Sequence, residues 1–407
     1  MSVQPRVLVA GGGIGGNAVA LQLLRAGIPV TVVERATAPR PGGQAVDLRG
    51  PSREVAERMG LMPGIRDCQL DERGMRYVDA EGREILRMSA ELFEGRGGVA
   101  EIEITRGDLN QVLLDLVAAE GGVDYRYGEW ITEVRQDDAG VDVTFASGAA
   151  GRFDIVIGAD GLHSATRRMV FGPEERFATY LGGYMSFFTL ARPKDLEPHW
   201  FTMHSLVGAT GLGLRPDADP ATCKALVVLR CPADPALRRD ITAQQNLIRE
   251  RLAGGGWESA RIVAAMADAP DFYFDELARI DMPTWVEGRV TLLGDAGYCG
   301  SPLTGHGTAM ALVGAYVLAG EIAAHISDPK QALARYEEVL RPFVKAAQKL
   351  QPGGVRAMTP KSRFGIRAGQ TFSKLMTSKP MRPVMMRMLA ETESYDLPDY
   401  AELNVGR

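Results

Sequence analysis

The chain has 407 residues, 45% hydrophobic and 24% charged, the composition of a folded globular protein long enough for two or three domains. A formal net charge of -5 argues against a dedicated nucleic-acid binder, which carries a basic stripe. Cys68, Cys223, Cys231 and Cys299 show no CxxC spacing and the five histidines no HExxH pattern, so neither a disulfide framework nor a metal site is expected.

In chain order, RVLVA at residues 6 to 10 reads as a buried parallel strand, followed by the turn GGGIGG and the apolar helix NAVALQLLRAGI. A second strand, Val30 to Val33, ends at Glu34, completing a β-turn-α-β unit. No charged segment followed by an apolar one precedes the first strand, so no signal peptide is expected. RYVDAEGREIL predicts a hairpin between residues 74 and 88, turning at Glu81-Gly82. A helix is expected from Arg106 to Ala119, then strands WITEVRQ and VDVTFA around the turn DDAG, then an apolar strand from Asp154 to Gly158. Between Tyr180 and Cys231 the pattern changes to strand-like segments without long amphipathic helices, an antiparallel sheet inserted into the α/β part. The α/β pattern returns at RVTLLGDAG and a helix from Gly307 to His325. The tail from Leu333 reads as helical, with a kink allowed at Pro342, and ends in a methionine-rich stretch from Met376 to Met388. The apolar run from Ala309 to Leu318 is too short to span a bilayer, and a soluble cytoplasmic protein is expected.

Three segments carry chemistry. Gly11, Gly13 and Gly16 form GxGxxG between strand and helix, where glycine allows a tight turn, a close backbone approach to a pyrophosphate and close helix packing. Glu34 lies 18 residues past Gly16, where an acid is placed to accept hydrogen bonds from an adenosine ribose. This motif alone serves FAD or NAD(H). DIVIGADG (154 to 161, continuing to Ser164 and Arg167) and VTLLGDAG, followed by SPLTGHGTAMAL, are apolar strands running into glycine and an acid.

The three together resemble the para-hydroxybenzoate hydroxylase family, the group A flavoprotein monooxygenases, over essentially the whole chain. GGQAVDLRGPS at residues 42 to 52 and the compact length look closest to the tetracycline-inactivating branch and its antibiotic-tailoring relatives. The resemblance implies an α/β fold: a Rossmann-like FAD-binding domain (1–72, 96–178 and 275–330), an inserted antiparallel-sheet substrate domain (73–95 and 179–274) and a C-terminal helical segment (331–407). It implies FAD, transient NADPH or NADH, O2, and an aromatic or polycyclic substrate hydroxylated through a flavin C4a-hydroperoxide. The chemistry then belongs mainly to the cofactor, and no side-chain nucleophile is needed.

Carried onto this sequence, the resemblance assigns Gly11, Gly13, Gly15, Gly16, Glu34, Arg35, Asp47, Leu48, Arg106, Asp160, Gly294, Asp295, Pro302, Gly305, Gly307 and Thr308 to the cofactor. Arg106 would pair with the pyrophosphate, and the helix after Gly307 would stabilise negative charge on the reduced flavin. The sequence departs from the family in two places: GDAGY puts Tyr298 where histidine is common, and GHGTA puts Ala309 where asparagine is common. His306 is the single catalytic candidate. Met185, Phe187, His204, Arg215 and Phe272 are candidates to line a substrate cavity on the inserted sheet. Halogenase chemistry is set aside, since none of Trp130, Trp200, Trp257 and Trp285 makes a WxWxIP motif and the first lysine is Lys194. A reductase of the geranylgeranyl-reductase type and a catalytically silent flavoprotein remain as alternatives.

Overall fold

The computed structural model describes residues 5–90, 102–350, 353–378, 380–381, 395–400 and 403. One layer is a six-stranded sheet in the order Val286–Glu287, Val290–Leu292, Ile155–Gly158, Val7–Ala10, Val30–Glu34, Val123–Tyr127. Val7 pairs in parallel with both Ile155 and Val30, and the edge strand Val286–Glu287 runs antiparallel. Every residue of Val7–Ala10 and Ile155–Gly158 is buried, as a parallel sheet covered on both faces requires. Alternation sorts the cover. Val7, Val9, Ile155 and Ile157 pack on the helices, while Leu8, Ala10 and Val156 pack on a three-stranded sheet, Ile131–Gln136, Val141–Phe145 and Ala150–Phe153.

The helix Gly307–Ala324 is the centre of the helical cover. With 18 residues it is long and apolar enough to cross a membrane, so the expectation that the apolar segment stops short at Leu318 is corrected. Its surroundings explain the composition: 72% of it is buried inside the protein, against Ile14–Arg25, Pro51–Arg58 and Pro329–Ala347. Pro329–Ala347 continues as one helix through Pro342, and Val355–Met358 and Arg363–Met376 follow. From residue 382 the methionine-rich stretch lies outside the described residues.

The second layer is a seven-stranded sheet in the order Tyr273–Ile280, Ala178–Ala191, Thr222–Leu229, Thr210–Pro216, Trp200–Leu206, Gly74–Val78, Glu84–Ser89. The early hairpin joins it by parallel pairing of Gly74 with Trp200. One face carries Phe188, Leu190, Leu212, Leu214 and Val227 and is covered by helices Ile241–Leu252 and Ser259–Met266. The other carries Met185, Phe201, Met203, Leu226 and Val228, and meets Leu303 and Val355. This second face looks toward the glycine-rich segments of the α/β layer.

Candidate active site

The turn after the first strand is built around glycine because side chains do not fit. A Cβ on Gly16 would lie 1.9 Å from the Gly11 carbonyl oxygen, and one on Gly11, whose φ is +116°, 2.4 Å from that of Ala159. Glu34 fastens the turn from the second strand: its carboxylate accepts hydrogen bonds from the Gly12 amide at 2.7 Å and the Ala36 amide at 2.8 Å. Asn17 and Asn110 both donate to the Gly12 carbonyl oxygen, and the Tyr125 hydroxyl donates to Asn17. This clamp on Gly12 is not in the motif. The sequence hint is a polar Asn17 inside a mostly apolar helix, where it is fully buried.

Arg106 opens the helix Arg106–Glu120 behind the N-cap Thr105. Its guanidinium comes within 3.6 Å of where a Gly13 Cβ would be, and it has no hydrogen bond or salt bridge among the described residues. Asp295 begins a short helical turn at Gly294, whose φ is +64°. It is open to solvent, yet surrounding protein pushes its carboxyl pKa up through burial, opposed by a hydrogen bond with Cys299 and the charge of Arg106. Tyr273 behaves alike: 48% exposed, with its phenol pushed well up by burial. Both describe groups on the walls of a deep cleft. Gly305 and Gly307 have no atom within 4 Å of an added Cβ. Ser301, beside them, is held at φ +71° although it is not glycine, a strain of about 1–3 kcal/mol that accumulates at functional loops.

An unpaired guanidinium beside a glycine turn, a carboxylate on a cleft wall and open glycine backbone fit a dinucleotide. The match to known proteins agrees. Residues 4–350 match the family model described as FAD binding domain. The chain belongs to that family. It is 39% identical over 347 residues to a flavin-dependent monooxygenase from an unknown prokaryotic organism, covering 84% of this chain and 87% of that one. It is also 41% identical to an uncharacterized protein of Mycobacterium tuberculosis, covering 88% and 96%. Among solved structures, the tetracycline destructase Tet(55) superposes with a TM-score of 0.81 at 33% identity, covering 98% of this chain and all of that one. FAD is therefore the cofactor, the protein is an oxidoreductase of the flavin-dependent monooxygenases, and the tetracycline-inactivating branch is its neighbourhood.

Within this FAD-binding family, several of the residues assigned to the cofactor are also held by neighbours in the protein. Asp160 spends its carboxylate on its own loop, accepting from the Ser164 hydroxyl and from the Thr166 amide and hydroxyl, so it shapes the second glycine turn. Fully buried Arg167 donates to the carbonyl oxygens of Ala296 and Leu162 and to Glu174, tying that turn to the Asp295 segment. Asp47 pairs with Arg49, and Leu48 is core. Arg35 stacks over Trp130 at 5.5 Å. Gly15 packs toward Leu293 and Ala311, and Thr308 stands half-buried in the first turn of the helix that Pro302 and its 3-10 turn lead into. Tyr298 is not a cleft residue: it is 1% exposed, bonds Tyr336 at 3.0 Å and packs on Trp285. Ala309 is buried in the same core. His306 stands at the N-cap of Gly307–Ala324, its imidazole pKa pushed down by burial and then by the Arg49 charge.

The substrate candidates divide. Met185 and Phe187 lie on the cleft-facing side of the sheet. His204 and Phe272 do not: His204 bonds the Val78 and Gly255 carbonyls through its two ring nitrogens, and Phe272 packs against Phe188 on the helix-covered face. Strand alternation sends even and odd positions to opposite faces, which no local sequence signal labels as inner or outer. Arg215 faces the cleft side, 5.3 Å over the Phe201 ring, but is already held by Glu72 at 2.7 Å and Glu103 at 2.8 Å.

A polar chain joins the layers. Tyr273 donates to Asp275 at 2.9 Å, and His163 bridges Asp275 and Glu174, each at 3.1 Å. Burial alone would raise the Asp275 carboxyl; the His163 hydrogen bond and charge, with the Tyr273 hydroxyl, bring it below its usual value. A depressed carboxylate contributes stability that is present above its unfolded pKa, about 3.9, and lost as pH falls through the folded value. Between pH 6 and pH 3 the melting temperature should therefore fall less steeply for Asp275→Asn than for the native protein. Equal slopes in thermal melts would remove this latch as a source of acid sensitivity.

Proposed function

We propose that the protein is an NAD(P)H- and O2-dependent monooxygenase that hydroxylates an aromatic or polycyclic small molecule. The observation that carries this reading is the apposition of two unlike walls. On one side stand Arg106, Asp295 and the open Gly305–Gly307 backbone; on the other, the Met185, Phe187, Phe201 and Met203 face of the sheet. When bound, FAD supplies electron transfer from NAD(P)H and the activation of O2. The residues supply the setting. The apolar face receives the rings and excludes water. The N-terminus of Gly307–Ala324 favours negative charge beside it. His306, with a depressed pKa, is neutral near pH 7 and carries one ring N–H to donate and one nitrogen to accept. A single dinucleotide fingerprint, used by FAD, leaves the reductant a transient surface site, and a cytoplasmic location goes with such a reductant. The division into a cofactor domain and an inserted substrate domain belongs to the same proposal.

The test is substrate-stimulated NAD(P)H oxidation across a panel of polycyclic phenols that includes a tetracycline, with product followed under air and under argon. The expected result is oxygen-dependent product and, in anaerobic stopped-flow, faster flavin reduction with substrate present. Product formed equally without oxygen would make the enzyme a reductase. Equal reduction rates with and without substrate, while product still forms, would remove substrate control of reduction.

A further inference from the structure

The helix Arg363–Met376 is built inside out. Side chains one turn or three turns apart share a helix face. That spacing puts Arg363, Arg367 and Lys374 on one strip, and Phe364, Ala368, Phe372 and Leu375 on the strip beside it. A surface helix ordinarily turns its apolar strip to the core. Here Phe364, Phe372 and Leu375 are 82%, 63% and 56% exposed, and no residue of the helix is buried. The half-buried positions are Gly365, Ile366, Gln370, Ser373 and Met376, of which only Ile366 and Met376 are large and apolar. The start of the helix is fastened in place. Ser362 caps it, accepting from the Gly365 amide at 3.1 Å, and the carbonyl oxygens of Pro360 and Lys361 accept from the amides of Ala209 and Gly208 in a turn of the large sheet. Val207 in that turn is itself 54% exposed.

The charge around this apolar strip has one sign. Residues 353 to 378 contain Arg356, Lys361, Arg363, Arg367 and Lys374 and no aspartate or glutamate. No acid occurs anywhere from residue 339 to 390, in a chain whose formal net charge is -5. The strand Glu84–Ser89 lies beside the helix, and its acid, Glu84, is already paired with Arg87. A second copy docking through the same face would set these cations against each other. The chain beyond Ser378 brings Lys379, Arg382 and Arg387, which repel the strip in the same way. An anionic bilayer supplies both requirements at once. Its acyl boundary receives the phenylalanines and leucine, while long arginine and lysine stems carry their charges to the headgroups.

We propose that Arg363–Met376 is a peripheral membrane anchor that seats Phe364, Phe372 and Leu375 in the surface of an anionic bilayer, with Arg363, Arg367 and Lys374 on the lipid headgroups. With 14 residues it lies along the bilayer surface, since crossing takes about 20. The inference goes beyond the proposed reaction and does not depend on which substrate is hydroxylated.

The test is co-sedimentation of the FAD-loaded protein with vesicles of phosphatidylglycerol and phosphatidylcholine in equal parts, and with vesicles of phosphatidylcholine alone. Retention is expected on the anionic vesicles, weakening as salt is raised. A basic residue near an anionic surface is worth roughly fivefold in partitioning, so the combined variant Arg363→Gln, Arg367→Gln, Lys374→Gln should bind about a hundredfold more weakly. The combined variant Phe364→Ser, Phe372→Ser, Leu375→Ser should lose retention as well, which simple adhesion of a cationic surface would survive. Neither set touches a buried residue, so FAD content and melting temperature should stay native. Retention that is equal on both kinds of vesicle, or unchanged in either variant, overturns the proposal. No retention on anionic vesicles overturns it too and leaves the face to a protein partner. A native protein that dimerises without lipid in sedimentation velocity, and a serine variant that does not, would assign the face to a second copy and overturn the anchor.

Discussion

Replacing Gly16 with alanine is expected to cost the protein its FAD. An added Cβ would meet the Gly11 carbonyl oxygen at 1.9 Å, and neither partner is a flexible side-chain end. Gly11 itself is fixed at φ +116° and abuts Ala159, so the turn cannot retreat. Either the helix Ile14–Arg25 moves off the strand or the turn opens, and both displace the N–H groups proposed to receive the pyrophosphate. Forced overpacking costs about 1–3 kcal/mol. Expressed in binding, that is roughly one to two decades of FAD affinity. Gly369 provides the control: it lies in Arg363–Met376 with no atom within 4 Å of an added Cβ, and alanine there should leave FAD binding unchanged. Flavin fluorescence titrations of the two apoproteins make the comparison. A Gly16→Ala protein that binds FAD as tightly as Gly369→Ala would show that the turn is not the pyrophosphate seat.

Asp295→Ala should separate cofactor affinity from stability. The protein holds this carboxylate where burial raises its pKa, so the charged form is disfavoured while the cleft is empty. Removing it should leave the melting temperature of the apoprotein unchanged or higher. FAD retention should fall, because a charge-assisted hydrogen bond is worth about 1.5–3 kcal/mol, roughly one to two decades in affinity. Binding groups kept at the expense of stability have this signature. Two measurements are needed, thermal melts without flavin and FAD titration of the folded variant. Unaltered affinity in a folded Asp295→Ala protein would take the residue out of the cofactor site.

Much of the α/β layer was legible because its signals are local. Short apolar strands running into glycine and an acid, a GxGxxG turn and Glu34 after the second strand depend on neighbours in sequence, and steric exclusion at Gly11 and Gly16 leaves few alternatives. Period-two alternation likewise made the inserted sheet readable between Tyr180 and Cys231. The sequence by itself therefore determined the class of fold, the cofactor turn and the strand-rich insert.

What it could not decide was which way side chains face once strands are stacked. His204 and Phe272 look as suitable for a cavity as Met185 and Phe187, but they sit on the helix-covered face, because alternation gives two faces and only packing says which is inside. Tyr298, read from its place in GDAGY, turns into the core against Trp285 and Tyr336, since Gly314 leaves room for its hydroxyl. Arg215 was visible as a cation, but not that Glu72 and Glu103, more than a hundred residues away in sequence, would already hold it. That a cation is already paired is a property of everything around it, and only the tertiary structure brings those surroundings together.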